Sequence, residues 1–299
     1  MSKIKLRFAT FVLALTLVMT GMSAYFGQLS AQEKSFLWKA PGNANTVYIL
    51  GSIHLLKRES ATLKPIVHEV FDKSKRLVLE IDLLKEGPDK FQQLLMQKGV
   101  NLDGKMLPQQ LSAETYELAA QKAGELGIEI KLLAPLKPWV VALTMAVMQL
   151  QKLGYDPSLG IDHQLAQRAK QENKPVSGLE TAEFQMDLFN ELTAPQQDMF
   201  LRQSLLEMDQ LEKAVDAMVG AWNSGDVALG ERLFLASMRG YPELKDKVLD
   251  ARNRRWIPQI EQLLKQNHDV LVVVGTAHLV GKSGVIELLK IRGYKLEQM

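Results

Sequence analysis

The sequence of 299 residues contains no cysteine. Without cysteine the chain has no disulfide framework and no N-terminal cysteine that could carry a lipid. The fold must therefore be held together by its apolar core. With 46% hydrophobic and 23% charged residues, the chain is typical globular material and long enough for one large domain or two small ones.

The N-terminal apolar stretch is shorter than a typical membrane span. It covers residues 8–19, whereas a spanning helix needs about 20 apolar residues. Lys3, Lys5 and Arg7 precede it, and the first 31 residues contain no acidic side chain. A basic start followed by a short apolar run is typical of a secretory signal peptide.

We therefore predict a signal peptide at residues 1–31 and a single domain at residues 32–299. Cleavage is expected after Ala31, in the sequence LSA followed by QE, with Ala24 as the alternative. This leader places the mature chain in the periplasm or outside the cell. In the alternative interpretation the leader is not cleaved and anchors the chain in the inner membrane.

The mature chain also lacks an excess of charge of one sign. The full sequence has 36 Lys and Arg against 34 Asp and Glu, and the leader accounts for three of the basic residues and none of the acidic ones. A near-neutral chain without a basic stripe argues against nucleic acid as a partner.

Two short apolar runs each end in the pattern Gly-x-x-His. The first is TVYILGSIHL, with Gly51 and His54, and the second is DVLVVVGTAHLVG, with Gly275 and His278. Each run is too short for a core helix and is rich in β-branched residues, so we predict two buried strands. The glycine lets the backbone turn sharply where it leaves the sheet.

In open α/β sheets, ligands bind in the crevice beyond the carboxyl ends of the strands, so His54 and His278 are candidate site residues. A single Gly-x-x-His is more often a turn or core histidine. Two matching instances among only five histidines favour a functional pair, provided that the fold brings the two strand ends together.

A third candidate is Glu80, in the predicted strand RLVLEI at residues 76–81. A carboxylate inside a buried strand costs free energy unless it is paired or binds a cation. The alternative is that Glu80 only flanks the strand end and faces solvent.

The middle of the chain adds candidates with weaker signals. Asp162 and His163 follow Gly160, where they could also be residues of a helix start without any chemistry. The segment KPVSGLE ends in a carboxylate, Glu180, and Gln185 follows one and a half helical turns later.

A basic cluster, RNRRW, precedes the second Gly-x-x-His strand. Such a cluster usually forms a solvated face. Its place in the sequence suggests that Arg252 and Asn253 could instead face the crevice and bind an anion or a carbonyl group.

The pattern of elements predicts an α/β fold with a mixed central sheet and flanking helices. We expect the two Gly-x-x-His strands near the middle of the sheet, a hairpin at its start and a short edge strand at residues 294–298. A helical block at about residues 137–240 is expected to cover one face.

Several local features are predicted with less support. Residues 128–133 alternate in polarity and are predicted as a strand. Pro258 is expected to break a helix. His68 is expected on the surface, and Met145 and Met148 are expected to fill the core, with a peptide-binding wall as the alternative.

Taken together, these motifs resemble the TraB/PrgY/GumN family. The resemblance rests on YILGSIH, then LEID, then GID followed by GLE, then the RN pair, and finally VVVGTAHLVGKSGVIELLKIRGYKLEQ. In this order the motifs span nearly the whole mature chain, and the last one is fairly specific.

The resemblance implies a relation to the Tiki metalloproteases and, more distantly, to erythromycin-esterase-like and ChaN-like proteins. Those relatives use the two Gly-x-x-His histidines and a strand glutamate, which here correspond to His54, His278 and Glu80. Two imidazoles and a carboxylate suit a divalent ion such as Mn, Co, Fe or Zn, with positions left open for water. Because HExxH is absent, the ligands must come from separate strands.

We therefore predict an exported metal-dependent hydrolase for peptide or amide bonds. His54, His278 and Glu80 would be metal ligands, with general base as a second role for Glu80. Arg252 and Asn253 would orient the substrate or stabilise the oxyanion, and Glu180 would be a second carboxylate. The alternative is a noncatalytic periplasmic protein that sequesters a peptide or another small ligand.

Overall fold

The central sheet is mixed, and four neighbouring strands of it are parallel. The computed structural model describes residues 34–238 and 240–299. The strands of this part, in chain order, are β1 (Leu37–Pro41), β2 (Thr46–Ser52), β3 (Arg76–Ile81), β4 (Val176–Glu180), β5 (Val270–Gly275) and β6 (Glu297–Gln298). They lie side by side in the order β4-β3-β5-β2-β1-β6. The predicted α/β fold is confirmed, and the two Gly-x-x-His strands, β2 and β5, are parallel neighbours near its middle.

Helices connect and cover these strands. In chain order they are α1 (Pro65–Lys73), α2 (Pro88–Gly99), α3 (Leu107–Gln110), α4 (Ala113–Glu125), α5 (Ile130–Leu133), α6 (Pro138–Lys152), α7 (Ile161–Gln171), α8 (Ala182–Asn190), α9 (Ala194–Glu207), α10 (Leu211–Ser224), α11 (Val227–Phe234), α12 (Pro242–Lys245), α13 (Ala251–Leu263) and α14 (Val285–Ile291). None of the described helices combines the length and apolarity that crossing a membrane requires. The predicted leader lies outside the described residues and stays a prediction.

Strand β5 is the most enclosed part of the sheet. All six of its residues are buried, which is typical of a parallel strand covered on both faces. It lies between β2 and β3 and pairs in parallel with both. The near-continuous run of valines is therefore explained, since each side chain packs into core on one face or the other.

The helices that connect the parallel strands lie on both faces of the sheet. Parallel crossovers are right-handed, which places α1 and α7 on one face and α13 on the other. The guanidinium of Arg168 on α7 lies over the ring of Phe71 on α1, and α13 packs on α14, as this arrangement requires. A crevice therefore opens beyond the carboxyl ends of β2, β3 and β5, which is the position expected for a ligand site.

The predicted helical block differs from its expected form in two respects. It contains the edge strand β4, and it does not pack only against the sheet. Met145 of α6 is fully buried in a second apolar core shared with α4, α5 and α9, which confirms core filling for this residue. Trp222 of α10 instead packs in the main core and donates from its indole nitrogen to the Gly51 carbonyl at 2.7 Å.

Two local predictions were wrong. Residues 130–133 form the short helix α5, because the alternating residues Ile128 and Ile130 pack into the second core after a left-handed turn at Gly127. Pro258 lies inside α13 without ending it. The proline is on the exposed face of this helix, so water can satisfy the carbonyl that loses its hydrogen bond.

Other local predictions were confirmed. The described part of the chain starts with a β1–β2 hairpin, and β6 lies at the sheet edge beside β1. His68 is exposed on α1.

The central sheet should provide much of the stability. Ile49 of β2 is fully buried, so Ile49→Ala is expected to lower the free energy of unfolding by about 2–5 kcal/mol. Ile291→Ala is the matched control, since Ile291 is 72% exposed and its truncation should cost no more than about 0.5 kcal/mol. Urea unfolding of both variants measures the difference, and equal costs would contradict this packing.

Candidate functional site

Three of the predicted site residues meet at Gly275, the last residue of β5. A Cβ atom built on this glycine would lie 3.2 Å from Glu80 Oε1, 3.3 Å from His54 Nε2 and 3.7 Å from His278 Cδ2. Each side chain reaches this point from a different strand end, since Ser52 of β2 pairs with Gly275 and β3 flanks β5 on its other side. The absence of a side chain at Gly275 leaves the space that these groups share.

His54 is held by the start of α7. A Cβ on Gly160 would lie 2.2 Å from the His54 carbonyl oxygen, so only glycine lets the two segments approach this closely. His54 Nδ1 lies 3.0 Å from Asp162 Oδ2, which leaves Nε2 directed at Gly275. The charge of Asp162 raises the pKa of His54 to about 9 against the opposing effect of burial. The His54 side chain is 54% exposed, so a ligand can reach it.

His278 lies in a short 3-10 turn directly after β5 and is buried. Asn253 donates from Nδ2 to the Ser283 carbonyl at 2.8 Å, so its Oδ1 is the acceptor for His278 Nδ1 at 2.6 Å. The proton therefore sits on Nδ1, and Nε2 carries a free lone pair. Burial lowers the pKa of His278 to about 3, which keeps the ring neutral. The Trp256 ring packs against it at 4.4 Å between centroids.

Glu80 is a charged acceptor near the floor of the crevice. Its Oε1 accepts from the Gly275 amide at 2.7 Å, and its Oε2 accepts from Gln185 Nε2 at 3.0 Å and from Arg252 Nη2 at 2.5 Å. Burial would raise the pKa of Glu80, but the charges of Arg252 and of protonated His54 and the hydrogen bond from the Gly275 amide outweigh it and lower the pKa to about 2. The carboxylate is therefore ionised at neutral pH.

Arg252 connects these groups to Glu180 at the end of β4. Its Nε donates to Glu180 Oε2 at 3.0 Å, and its Nη1 donates to the Val248 carbonyl and to His278 Nε2. Its Nη2 contacts Glu80 and Glu180. Val248 lies in a π-helical turn, Asp246–Asp250, that precedes α13. Every N–H of this guanidinium thus has an acceptor within the protein.

The donor atoms suit a divalent ion in chemical type. Both histidines are held at Nδ1 by a carboxylate or an amide, as metal-binding histidines usually are, and their Nε2 atoms face the same space as the Glu80 carboxylate. With the side chains as they stand, however, no group of three His, Asp or Glu in residues 34–238 and 240–299 is arranged to hold a metal. Arg252 donates to both His278 Nε2 and Glu80, so an ion would have to replace these contacts.

A cleft of about 420 Å³ opens beside Glu80 and His54, within the size range of small-ligand sites. Asp162, His163 and Gln185 also line it. Glu180 does not line the cleft but is paired with Arg252 beside it.

Asn253 does not face the crevice, although the sequence suggested that it could. It is 1% exposed, lies behind His278 and does not line the cleft. Sequence reasoning missed Trp256, whose ring also contacts the Arg252 guanidinium. The signal was present in the spacing, because residues 252, 253 and 256 fall on one face of a helix.

The motifs of the site lie within a region that matches a known protein family. The model of the TraB/PrgY/gumN family matches residues 36–298. The chain belongs to this family. The match extends from β1 to β6, so family membership covers the sheet and the whole site.

The curated relatives are distant members. The uncharacterized protein YbaP of Escherichia coli and that of Shigella flexneri are each 26% identical over 257 residues, which is 84% of this chain and 89% of theirs. An uncharacterized protein of Treponema pallidum is 25% identical over 284 residues, which is 88% of this chain and 82% of its own length. No solved structure matches the chain at a significant level. These relatives carry no assigned activity.

The ion pairs of Arg252 with Glu80 and Glu180 should contribute to stability. Arg252→Met would leave Glu80 and Glu180 buried without their shared cation, so the free energy of unfolding at pH 7 should fall by about 3–5 kcal/mol. The matched control is Arg254→Met on the same helix. Arg254 and its partner Asp246 are both half-exposed, and loss of such a pair costs at most about 1 kcal/mol. Similar losses in chemical denaturation would contradict a buried network.

Proposed function

We propose that the chain is an exported hydrolase that cleaves peptide or amide bonds with the groups gathered at Gly275. One observation supports this most strongly. The Nε2 atom of His54 and the carboxylate of Glu80 come within about 3.3 Å of one point, and His278 lies next to it. These groups come from three separate strand ends, and His54 and Glu80 line a cleft that a substrate can enter.

The partner residues define how the two imidazoles would act. Asp162 accepts the Nδ1 proton of His54, and Asn253 does the same for His278. Each contact holds Nδ1 and so orients the ring, which leaves Nε2 as the nitrogen on the side of Gly275 and Glu80. Gln185 and the Gly275 amide hold the Glu80 carboxylate in place. Glu80 is then either a ligand or the general base that takes a proton from water.

A divalent ion is part of this proposal, with His54, His278 and Glu80 as its ligands. When bound, such an ion lowers the pKa of water and polarises a carbonyl group. The charges of the site favour a cation, because Glu80, Glu180 and Asp162 face a single guanidinium and two histidines. Mixed nitrogen and oxygen donors suit Mn, Co, Fe or Zn without selecting one of them.

Arg252 would serve the reaction only after a shift of its side chain. In the structure its N–H groups are all paired within the protein. Movement away from His278 would release the Nε2 lone pair and a guanidinium donor together. That donor would then stabilise the oxyanion, while Glu180 keeps the other end of the guanidinium fixed.

A noncatalytic binding protein is the second candidate function, and the saturation of Arg252 favours it. A network in which each donor already has an acceptor is also suited to holding the cleft rigid for a bound peptide. A peptide recovered intact after long incubation with the protein and added Mn²⁺ or Zn²⁺ would support this candidate.

The histidines provide the direct mutational test. His54→Ala and His278→Ala should each lower the rate of peptide hydrolysis by at least about 100-fold, within the range reported for acid–base and electrostatic groups, and should lower bound metal. His68→Ala is the control, since His68 is exposed on α1 away from the cleft. Hydrolysis of a peptide mixture is followed by mass spectrometry. Equal activity in all variants would remove the proposal.

Metal removal tests the cofactor separately. Dialysis against a chelator should abolish hydrolysis, and one of Mn²⁺, Co²⁺, Fe²⁺ or Zn²⁺ should restore it. The same ion should raise the Tm of the wild-type chain, because a ligand that binds only the folded state stabilises it. His278→Ala should lose this rise in Tm. Full activity and an unchanged Tm without metal would contradict a metal-dependent mechanism.

A further inference from the structure

Apolar side chains also line the cleft beside the polar groups. Among them are Leu83, which follows β3, Phe91 of α2 and Val147 of α6. We call these three residues the apolar wall. Phe91 and Val147 are 47% and 37% exposed, so no other side chain of the protein covers these two side chains in the cleft. Apolar side chains in a concave site beside polar groups are typical of ligand specificity.

The charges around the cleft disfavour an anionic ligand group. No lysine or arginine of the described residues lines it, whereas the carboxylates of Glu80 and Asp162 do. An anionic side chain would meet these carboxylates, while the Arg252 guanidinium is engaged behind them and His54 is already paired with Asp162. An uncharged apolar group would instead bury surface against the apolar wall, at about 25 cal/mol per Å² removed from water.

From this geometry we propose that the site selects peptides with a large apolar side chain next to the scissile bond, and that Phe91 and Val147 determine this preference. The proposal rests on the proposed hydrolase function. Leu, Phe or Met at the adjacent position would lie on the apolar wall while the amide lies between His54 and Glu80. Asp and Glu at that position are rejected, and Gly gains nothing from the apolar wall.

The test uses the full mature chain and four fluorescein-labelled peptides that differ at one central position, which is Leu, Phe, Gly or Asp. The value of kcat/KM should be about tenfold or more higher for Leu and Phe than for Gly, and lowest for Asp. Phe91→Ala should remove most of the advantage of the Leu and Phe peptides over the Gly peptide. Phe91→Leu should retain it.

Met96→Ala is the matched control on the same helix. Met96 is 57% exposed and does not line the cleft, so this variant should keep the wild-type preference. If Met96→Ala and Phe91→Ala behave alike, or if the Asp peptide is cleaved as well as the Leu peptide, the proposal is overturned.

Binding separates this proposal from the hydrolase proposal. Fluorescence anisotropy of the same four peptides with His54→Ala reports affinity without turnover. Tighter binding of Leu and Phe than of Asp, lost in His54→Ala/Phe91→Ala, supports the apolar wall even if the wild-type chain cleaves none of the peptides, in which case only the hydrolase proposal fails. Equal affinity for all four peptides overturns the apolar wall whether or not cleavage occurs.

Discussion

The buried ion network of Arg252 is the interaction on which the site depends. One guanidinium joins Glu80 of β3, Glu180 of β4 and His278 beyond β5. It thereby ties together the carboxyl ends of three strands that are far apart in sequence. Buried carboxylates so close together would repel one another without this cation. The network therefore spans three neighbouring strand ends and helps to keep the Glu80 carboxylate ionised.

The charges next to this network set the protonation states of the two histidines. Asp162 adds a third carboxylate on the far side of His54, and its charge raises the pKa of that histidine to about 9. The imidazole thus holds a proton where a metal ion would otherwise bind, since ligation requires the neutral ring. His278 is kept neutral by burial. If His54 lost its proton and the Arg252 guanidinium moved away from His278, both Nε2 atoms and Glu80 would be available to one ion.

Much of this arrangement was predictable from the sequence, because strand ends carry readable signals. The runs before His54 and His278 are short, apolar and rich in β-branched residues, as buried parallel strands are, and the sheet brings their ends and that of RLVLEI together. Asp162 was ambiguous, since an acidic residue at a helix start is common without any chemistry. Phe91 and Val147 carried no signal, because an apolar residue on a helix looks the same whether it faces core, solvent or a cleft. The strand predicted at residues 128–133 failed because alternation over six residues also fits a short helix that packs on one side.

The most direct test of the account is an anomalous difference map from crystals of the mature chain grown with Zn²⁺ or Mn²⁺. The account predicts one strong peak beside Gly275, within about 2.0–2.2 Å of His54 Nε2, His278 Nε2 and a Glu80 oxygen, with the Arg252 guanidinium moved away from His278. A map without a peak there, in which Arg252 still donates to His278 Nε2, would contradict a metal centre at these three residues.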